Sequence, residues 1–593
     1  MIDVEVGKTF DRRSALFLTT GTILTSFLVL RMVQMQLFNF KDYKKQSENN
    51  SFRIQINIAK RGKILSVNGT PLSQDTPIYR IYIIPEETDN VYALVKIASD
   101  DLNLRQKSID RIHRQINKQQ KFQPVLIAES TNWDKFANLQ AKNLPGLYVT
   151  SGFARSYEMG PAGAQILGYV GAPNKPVENA PFFTTGITGL EKRFNDVMAG
   201  IPGQTVMISN AVGRITGEDK SQYVEPITGN DIYTTILEPV QKVMYDALAK
   251  HNAGCGVAID IKTGDILAMA SAPSFNPNNF TSDDGDEYIA NLRTDTTKPF
   301  MNKALEGMYP PGSTFKIIVA LAGLESGAIN PKQSVFCPGF WDYGDRRYHC
   351  WESKGHGHVN LSDALTHSCD IYFYQLALKI GIDAIRSMAL KLGLGTKYMD
   401  DIFPREAIGV LPDRFWKEKN IGSQWVHGDT VISGIGQGFI LTTCLQLAVM
   451  LARVTSNTNV VPRIIKTEKK PNFTSLGLQE KNIRAVLNGL ERVTKPGGTA
   501  SGSAINVNGA RMGGKTGTSQ VRSISKKERL TGVLSNEQLQ WGMRNHGLFV
   551  GYAPTDNPRY AVCMITEHSG GSGSAARAAA ATMCELLKDY NNE

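Results

Sequence analysis

Between Ser14 and Leu30 the chain carries no charged side chain, and most of the run is apolar or small. Extended through Arg31 and residues 32–40, it reaches the length of a bilayer-spanning helix, with Arg31 snorkelling or facing a partner. Such a span satisfies its own backbone in lipid and takes no part in a water-soluble core. Arg12 and Arg13 precede the run, and Lys41, Lys44 and Lys45 follow it, so flanking charge does not set its orientation. A cleavable signal peptide shares this outline. The run is long for one and no small-x-small site follows it, which favours an uncleaved signal-anchor with the large remainder outside the cytoplasm.

That remainder is too long for one core, because the chain has 593 residues. Its net charge of +10 comes from dispersed Lys and Arg rather than a basic stripe with aromatics. Nucleic-acid binding is therefore not expected, whereas a nearby anionic membrane or polymer fits. Residues 60–69 read as a strand closed by an Asn68-Gly69 hairpin turn, and 85–150 as mixed helix and strand, with a solvated basic helix around Arg105–Lys121. From about Asp231 the pattern changes. Residues 234–248 read as a strand end feeding a helix. Two strands, 256–261 and 265–270, flank the turn Lys262-Thr263-Gly264. Alternating strands and helices continue to a last helix, 575–587.

Within this second part lies Tyr309-Pro310-Pro311-Gly312-Ser313-Thr314-Phe315-Lys316. The prolines and glycine turn the chain sharply into a helix carrying Phe315, Ile317, Ile318, Leu321 and Leu324 at helical spacing. Ser313 then starts the helix and Lys316 lies one turn on, on the same face. A desolvated lysine, or one beside another cation, can lose its proton and take that of a serine. S-x-x-K alone is common by chance. Here Ser368-Cys369-Asp370 and Lys515-Thr516-Gly517-Thr518-Ser519-Gln520 follow, in the order and spacing of serine-lysine acyltransferases. Ser368 is placed to carry a proton between Lys316 and a leaving amine. Lys515 supplies fixed positive charge for a substrate carboxylate. Gly517 lets a strand edge lie against a substrate backbone. The N–H groups of Ser313 and Thr518 form an oxyanion hole. Asp370 and Thr516 complete the expected catalytic set.

With these residues in view the chain resembles the class B penicillin-binding proteins, specifically the elongation-type penicillin-binding protein 2. The resemblance covers nearly the whole length. It includes Arg61-Gly62, Gly189-Leu190-Glu191, residues 260–264 and 273–277, Asn302-Lys303-Ala304, Gly436-Gln437-Gly438 and Phe549-Val550-Gly551-Tyr552-Ala553-Pro554. Asp370 in place of Asn resembles the elongation enzyme more than the division enzyme, as does the run from Lys515 to Gln520. Ser66 and Val67 stand where Asp and Arg are usual, and Glu158 follows Tyr157 with the proline displaced to Pro161. These departures bear on partner contacts rather than chemistry.

The resemblance implies an α/β (α+β) transpeptidase fold with helices packed on an antiparallel sheet, an elongated N-terminal pedestal and one membrane helix. It implies a short cytoplasmic tail over 1–13, an anchor over 14–38, a pedestal over 39–228 and a transpeptidase domain over 229–593, in the periplasm and held at the inner membrane. It implies a DD-transpeptidase in which Ser313 attacks D-Ala-D-Ala of a peptidoglycan stem peptide and passes the acyl group to a neighbouring stem. β-Lactams acylate the same serine, and the partner is a membrane glycosyltransferase of the shape-elongation-division type. No Glu-x-x-Leu-Asn stretch matches the deacylating base of a class A β-lactamase, so transfer is favoured over hydrolysis. Rival readings are a division-type enzyme, a carboxypeptidase, a β-lactam sensor, and a scaffold that activates a polymerase. The stretch before Ser14 offers a sensor no effector domain, and the complete motif set argues against a scaffold alone.

Seven cysteines exclude full internal pairing. Cys255, Cys444, Cys563 and Cys584 sit singly in apolar or small-residue contexts and read as small buried hydrophobes. Cys337, Cys350, His356 and Cys369 are separated by twelve, five and twelve residues. Three thiolates and an imidazole make a closed tetrahedral zinc set of structural type. One disulfide with a free thiol, or unrelated thiols, would give the same spacing. Asp342, Asp345 and His349 are reserve ligands. A zinc ion here would pin the Ser368 loop against the insertion before it. No organic cofactor is expected.

Overall fold

The computed structural model describes residues 3–38, 52–175, 177, 180, 182–209, 215–281, 284–522, 528 and 532–588. The charged stretch after the apolar run, including Lys41, Lys44 and Lys45, lies outside the described residues. Two compact units form. The first comprises Met1–Lys60, Pro173–Phe183 and Gly200–Thr228; the second comprises Arg61–Ala172, Thr184–Ala199 and Gly229–Glu593.

In the first unit the helix Asp3–Val33 runs on into a wider turn, Gln34–Phe38. Its stretch Arg12–Gln36 is long and apolar enough to cross a membrane. The hydroxyls of Thr19, Thr22 and Thr25 donate at 2.7 Å to the carbonyls of Ala15, Leu18 and Gly21. Polar side chains inside the run thus satisfy themselves, as lipid requires. A three-stranded antiparallel sheet of Phe52–Asn57, Gly203–Ser209 and Ile215–Val224 completes what is described of this unit.

The second unit contains a smaller sheet and a larger one. The smaller sheet is built on the long strand Pro71–Ile83, which pairs with Ile64–Leu65, Val125–Ser130 and Leu147–Tyr157. The expected hairpin is present in short form, with Gly69 at φ 84° in its turn. The basic helix is Gln106–Lys118; Ser108 and Ile112 face inward and its charges face outward or lie half-buried.

Near this sheet the Gly189-Leu190-Glu191 motif acquires a physical role. Glu191 is wholly buried and accepts from Arg61 Nε at 2.6 Å and from Arg155 Nε at 2.7 Å. Arg155 also pairs with Asp75 at 3.1 Å, and Ser73 donates to Glu191 at 3.2 Å. Two carboxylates and two guanidinium groups are thereby neutralised away from water.

The larger sheet is five-stranded and antiparallel. Its strands are β1 (Gly254–Asp260), β2 (Ile266–Ala272), β3 (Gly513–Ser519), β4 (His546–Ala553) and β5 (Tyr560–Thr566), in the order β2-β1-β5-β4-β3. β1, β2 and β5 are buried on both faces, which explains their near-continuous apolar and small sequences. Helices Glu238–Ala249 and Gly573–Leu586 cover one face, and Cys444–Ser456 packs on the other. The sequence predicted a one-sided helix after Ser313. Instead Lys316–Glu325 is buried all round from Lys316 to Leu324, packed against Asp370–Lys391 and the helix Glu480–Arg492. The isolated reading of three cysteines is also corrected. Cys255 and Cys563 lie on neighbouring strands, Cys444 begins the helix above them, and its thiol donates to the Cys563 carbonyl at 3.4 Å. All three are buried in one core as expected, whereas Cys584, also read as buried, is half-buried on the helix Gly573–Leu586.

Replacing Glu191 with Ala leaves the buried Arg61 guanidinium without a carboxylate and Arg155 with Asp75 alone, and breaking such a buried pair costs about 3–5 kcal/mol. A clear drop in the urea or thermal midpoint is expected. Lys107→Ala, which removes the exposed contacts with Asp284 and Glu287, should leave that midpoint nearly in place.

Candidate active site

Ser313 sits in a single 3-10 turn, Gly312–Phe315, and the α-helix proper starts at Lys316. The expected helix start is therefore tighter by one turn. Gly312 makes this possible. Its φ is 52°, and a Cβ there would stand 2.6 Å from the Thr518 carbonyl oxygen. Its N–H donates to the Gly436 carbonyl at 2.9 Å, and Gln437 Nε2 donates to the Thr518 carbonyl at 3.3 Å. The Gly436-Gln437-Gly438 segment thus braces the serine turn against β3. Gly517 on β3 faces Thr314 Cγ2 at 3.0 Å and the Pro311 carbonyl at 3.1 Å from its would-be Cβ, so glycine is needed for packing as well as for access. Among the described residues β3 is the edge of its sheet, pairing only with β4, and Thr518 is its one exposed residue.

Lys316 is completely buried. Its Nζ donates to Asp370 Oδ1 at 2.7 Å, to the Ser368 carbonyl at 2.9 Å and to Ser368 Oγ at 3.2 Å. None of these acceptors is the Ser313 hydroxyl, so the lysine is held by the second motif in this state. Catalytic contacts of this kind often tighten only when substrate arrives. Ser368 itself has φ 56°, an unusual conformation for a residue with a side chain. Asp370 is buried, and burial raises its carboxyl above the usual range while Lys316 pulls it back. Lys515 is also wholly buried and donates to the Thr516 carbonyl at 3.2 Å. Burial, then repulsion from Lys316, pushes its ammonium well below the ordinary lysine range. The expectation of a fixed charge there is qualified accordingly: an anion placed beside Lys515 would hold its proton on.

The cysteine-histidine group converges as well. Its ligand atoms on Cys337, Cys350, His356 and Cys369 all lie within 4.8 Å of one another, with the three cysteines buried. Two small hairpins gather them: Val335–Cys337 pairs with Gly357–Val359, and Phe340–Tyr343 with Arg346–His349. His356 Nδ1 stands 3.5 Å from Cys350 Sγ and 3.7 Å from Cys337 Sγ. The Asp370 N–H donates to Cys350 Sγ at 3.4 Å, which ties the cluster to the motif. A bond from Cys369 lowers the Cys350 thiol, and the same bond raises Cys369. The reserve residues Asp342, Asp345 and His349 are not among the four, and Asp342 pairs with Arg347. All seven cysteines are free thiols.

The structure adds participants that sequence reasoning missed. Thr499 shares a 2.8 Å hydroxyl bond with Thr516, and the Trp351 N–H donates to Asp370 Oδ2 at 2.9 Å. Trp351 follows Cys350 directly, a position that could have marked it.

Known proteins share this chain's domain order and fold. Residues 254–585 match the penicillin-binding protein transpeptidase domain, and residues 56–234 the penicillin-binding protein dimerisation domain. A peptidoglycan D,D-transpeptidase MrdA of Acinetobacter baumannii is 33% identical over 96% of this chain and 86% of its own length. The chain belongs to the MrdA (PBP2) family of penicillin-binding proteins. Its MrdA relative in Escherichia coli K12 is 31% identical over 95% of this chain and 92% of that one. The fold is likewise that of PBP2. The structure of a complex between PBP2 and MreC from Helicobacter pylori superposes with a TM-score of 0.76 at 24% identity, covering 92% of this chain and all of that one.

Gly312→Ala tests the bracing of this PBP2-type site. The added methyl clashes with Thr518 and occupies a left-handed backbone position. Penicillin acylation should slow by at least roughly tenfold, which a displacement well under an ångström is enough to cause. Labelling kinetics read the change.

Proposed function

We propose that the chain is a peptidoglycan D,D-transpeptidase that cross-links stem peptides during cell-wall elongation and shape maintenance. The observation that carries the reading is the convergence of three motifs on one buried lysine. Lys316 contacts Ser368 and Asp370, and the turn bearing Ser313 is braced against the β3 strand of Lys515. The MrdA relatives favour elongation over division, and no observation favours a sensor or a scaffold.

In this reading Ser313 Oγ attacks the penultimate D-Ala carbonyl, and its proton leaves through Lys316. Asp370, 2.7 Å from Lys316 Nζ, holds the lysine in place, and Ser368 delivers the proton to the departing D-Ala amine. The N–H groups of Ser313 and Thr518 stabilise the oxyanion. Lys515, helped by Thr516, receives the terminal carboxylate, which stabilises the lysine's own charge. Gly517 leaves the edge of β3 open to the donor peptide. The amine of a second stem then attacks the acyl-enzyme, forming the cross-link and freeing Ser313. β-Lactams acylate the same oxygen.

The same reading places the chain in the bacterial inner membrane by a single pass. Residues 1–13 are cytoplasmic, 14–38 form the anchor, 39–228 the pedestal and 229–593 the periplasmic transpeptidase domain. A membrane glycosyltransferase of the shape-elongation-division type is the partner, as the family resemblance implies. Cys337, Cys350, His356 and Cys369 hold a structural zinc. Three sulfurs and one imidazole nitrogen at their mutual distances suit a closed tetrahedral site, and His356 Nδ1, at 3.5 Å from Cys350 Sγ and 3.7 Å from Cys337 Sγ, is the nitrogen that faces the sulfurs.

Labelled penicillin should place one label per chain, on Ser313. Ser313→Ala should abolish it, and Lys316→Arg should slow acylation by roughly 10²–10⁴, because arginine keeps its proton. Mass spectrometry locating the label elsewhere would sink the assignment. Elemental analysis should find about one zinc per chain, as four protein ligands dictate. Cys350→Ser should lower both metal content and thermal midpoint, since metal binding is folding free energy here.

A further inference from the structure

Trp351 holds the second motif from two directions. Its main-chain N–H donates to Asp370 Oδ2 at 2.9 Å. Its indole Nε1–H points to the carbonyls of His367 at 3.0 Å and Ser368 at 3.1 Å. The Ser368 carbonyl also accepts from Lys316 Nζ at 2.9 Å. A carbonyl oxygen has two lone pairs, so lysine and indole together saturate it.

The shared carbonyl belongs to the residue whose φ is 56°. A side-chain-bearing residue keeps that conformation only when its surroundings over-determine it. Lys316 cannot do this alone, because its ammonium must exchange protons and its bonds change during a turnover. The indole N–H is a permanent donor that does not titrate in this range. It lies outside the reacting atoms, and its ring packs edge-on against His356 at 5.5 Å. The residue is nevertheless 58% exposed, so hydrophobic burial alone does not account for its placement.

We infer that Trp351 is a positioning residue for acylation: its indole N–H fixes the Ser368 peptide so that Ser368 Oγ stays within reach of Lys316. The inference deepens the transpeptidase reading and rests on it. The indole acts on Ser368, while the main-chain N–H, which survives substitution, acts on Asp370. The two grips can therefore be separated.

The test is saturation kinetics of acylation by labelled penicillin on the full-length protein, resolving the acylation rate constant from the Kd of the non-covalent complex. Metal content and melting midpoint are measured on the same preparations. Trp351→Phe should slow acylation by about tenfold, the rate equivalent of one ordinary hydrogen bond, with Kd unchanged. Trp351→His, which returns a ring N–H, should recover part of that loss. An unchanged rate constant in the phenylalanine variant overturns the inference. A weaker Kd with an unchanged rate constant also overturns it, showing that the exposed ring contacts the ligand instead. Equal slowing in both variants with a lowered midpoint or lost metal assigns Trp351 a purely structural role and overturns it too. A wild-type chain that takes no label overturns the transpeptidase reading and this inference together, whereas the preceding outcomes on a labelled wild type overturn this inference alone.

Discussion

A buried ammonium against a buried carboxylate sets the terms for the catalytic half of this protein. Lys316 and Asp370 lie 2.7 Å apart, the lysine with no exposure at all. Removing two charges from water is expensive, and attraction alone seldom compensates. The surroundings supply the difference. Asp370 takes a second bond from Trp351, and Lys316 takes two further acceptors on Ser368. Lys515, also buried, adds a like charge and raises the cost again. A site built of such groups needs a rigid frame. The all-buried helix Lys316–Glu325 and the sheet face beside it provide one, since a close-packed interior cannot relax to admit water to the pair.

The two networks of buried charge in the second unit follow the same logic for different ends. Around Glu191 every carboxylate meets a guanidinium, and those bonds hold structure only. Around Lys316 the charges are less evenly matched, with two lysines to one aspartate. That imbalance leaves protons mobile, which acyl transfer needs and a scaffold does not.

The three motifs proposed to carry the chemistry were legible in the sequence because each is local. Ser313 and Lys316 are one turn apart, Ser368 and Asp370 nearly adjacent, and Lys515 to Thr518 a single strand. The long apolar helix was legible from an uncharged run, and the cysteine-histidine group from ligand chemistry despite its wide spacing. What escaped depends on partners distant in sequence. The convergence of Cys255, Cys444 and Cys563 needs the order of β1 and β5 and the helix laid over them. Glu191 was visible as part of a motif, but its two arginines lie far upstream. Helical spacing after Ser313 predicted the helix, but its burial on all sides, Lys316 included, depends on the two distant helices packed against it. Trp351 looked like any exposed aromatic until its N–H was seen to meet Ser368.

An edge strand recognises what it binds through main-chain hydrogen bonds, and β3 offers one such edge with Gly517 at its middle and Thr518 outward. A ladder of this sort is blind to side-chain identity but not to handedness, because a residue of the opposite configuration turns its Cβ out of the pleat. For an enzyme working on stems that mix L and D residues, the strand therefore acts as a stereochemical filter rather than a sequence filter.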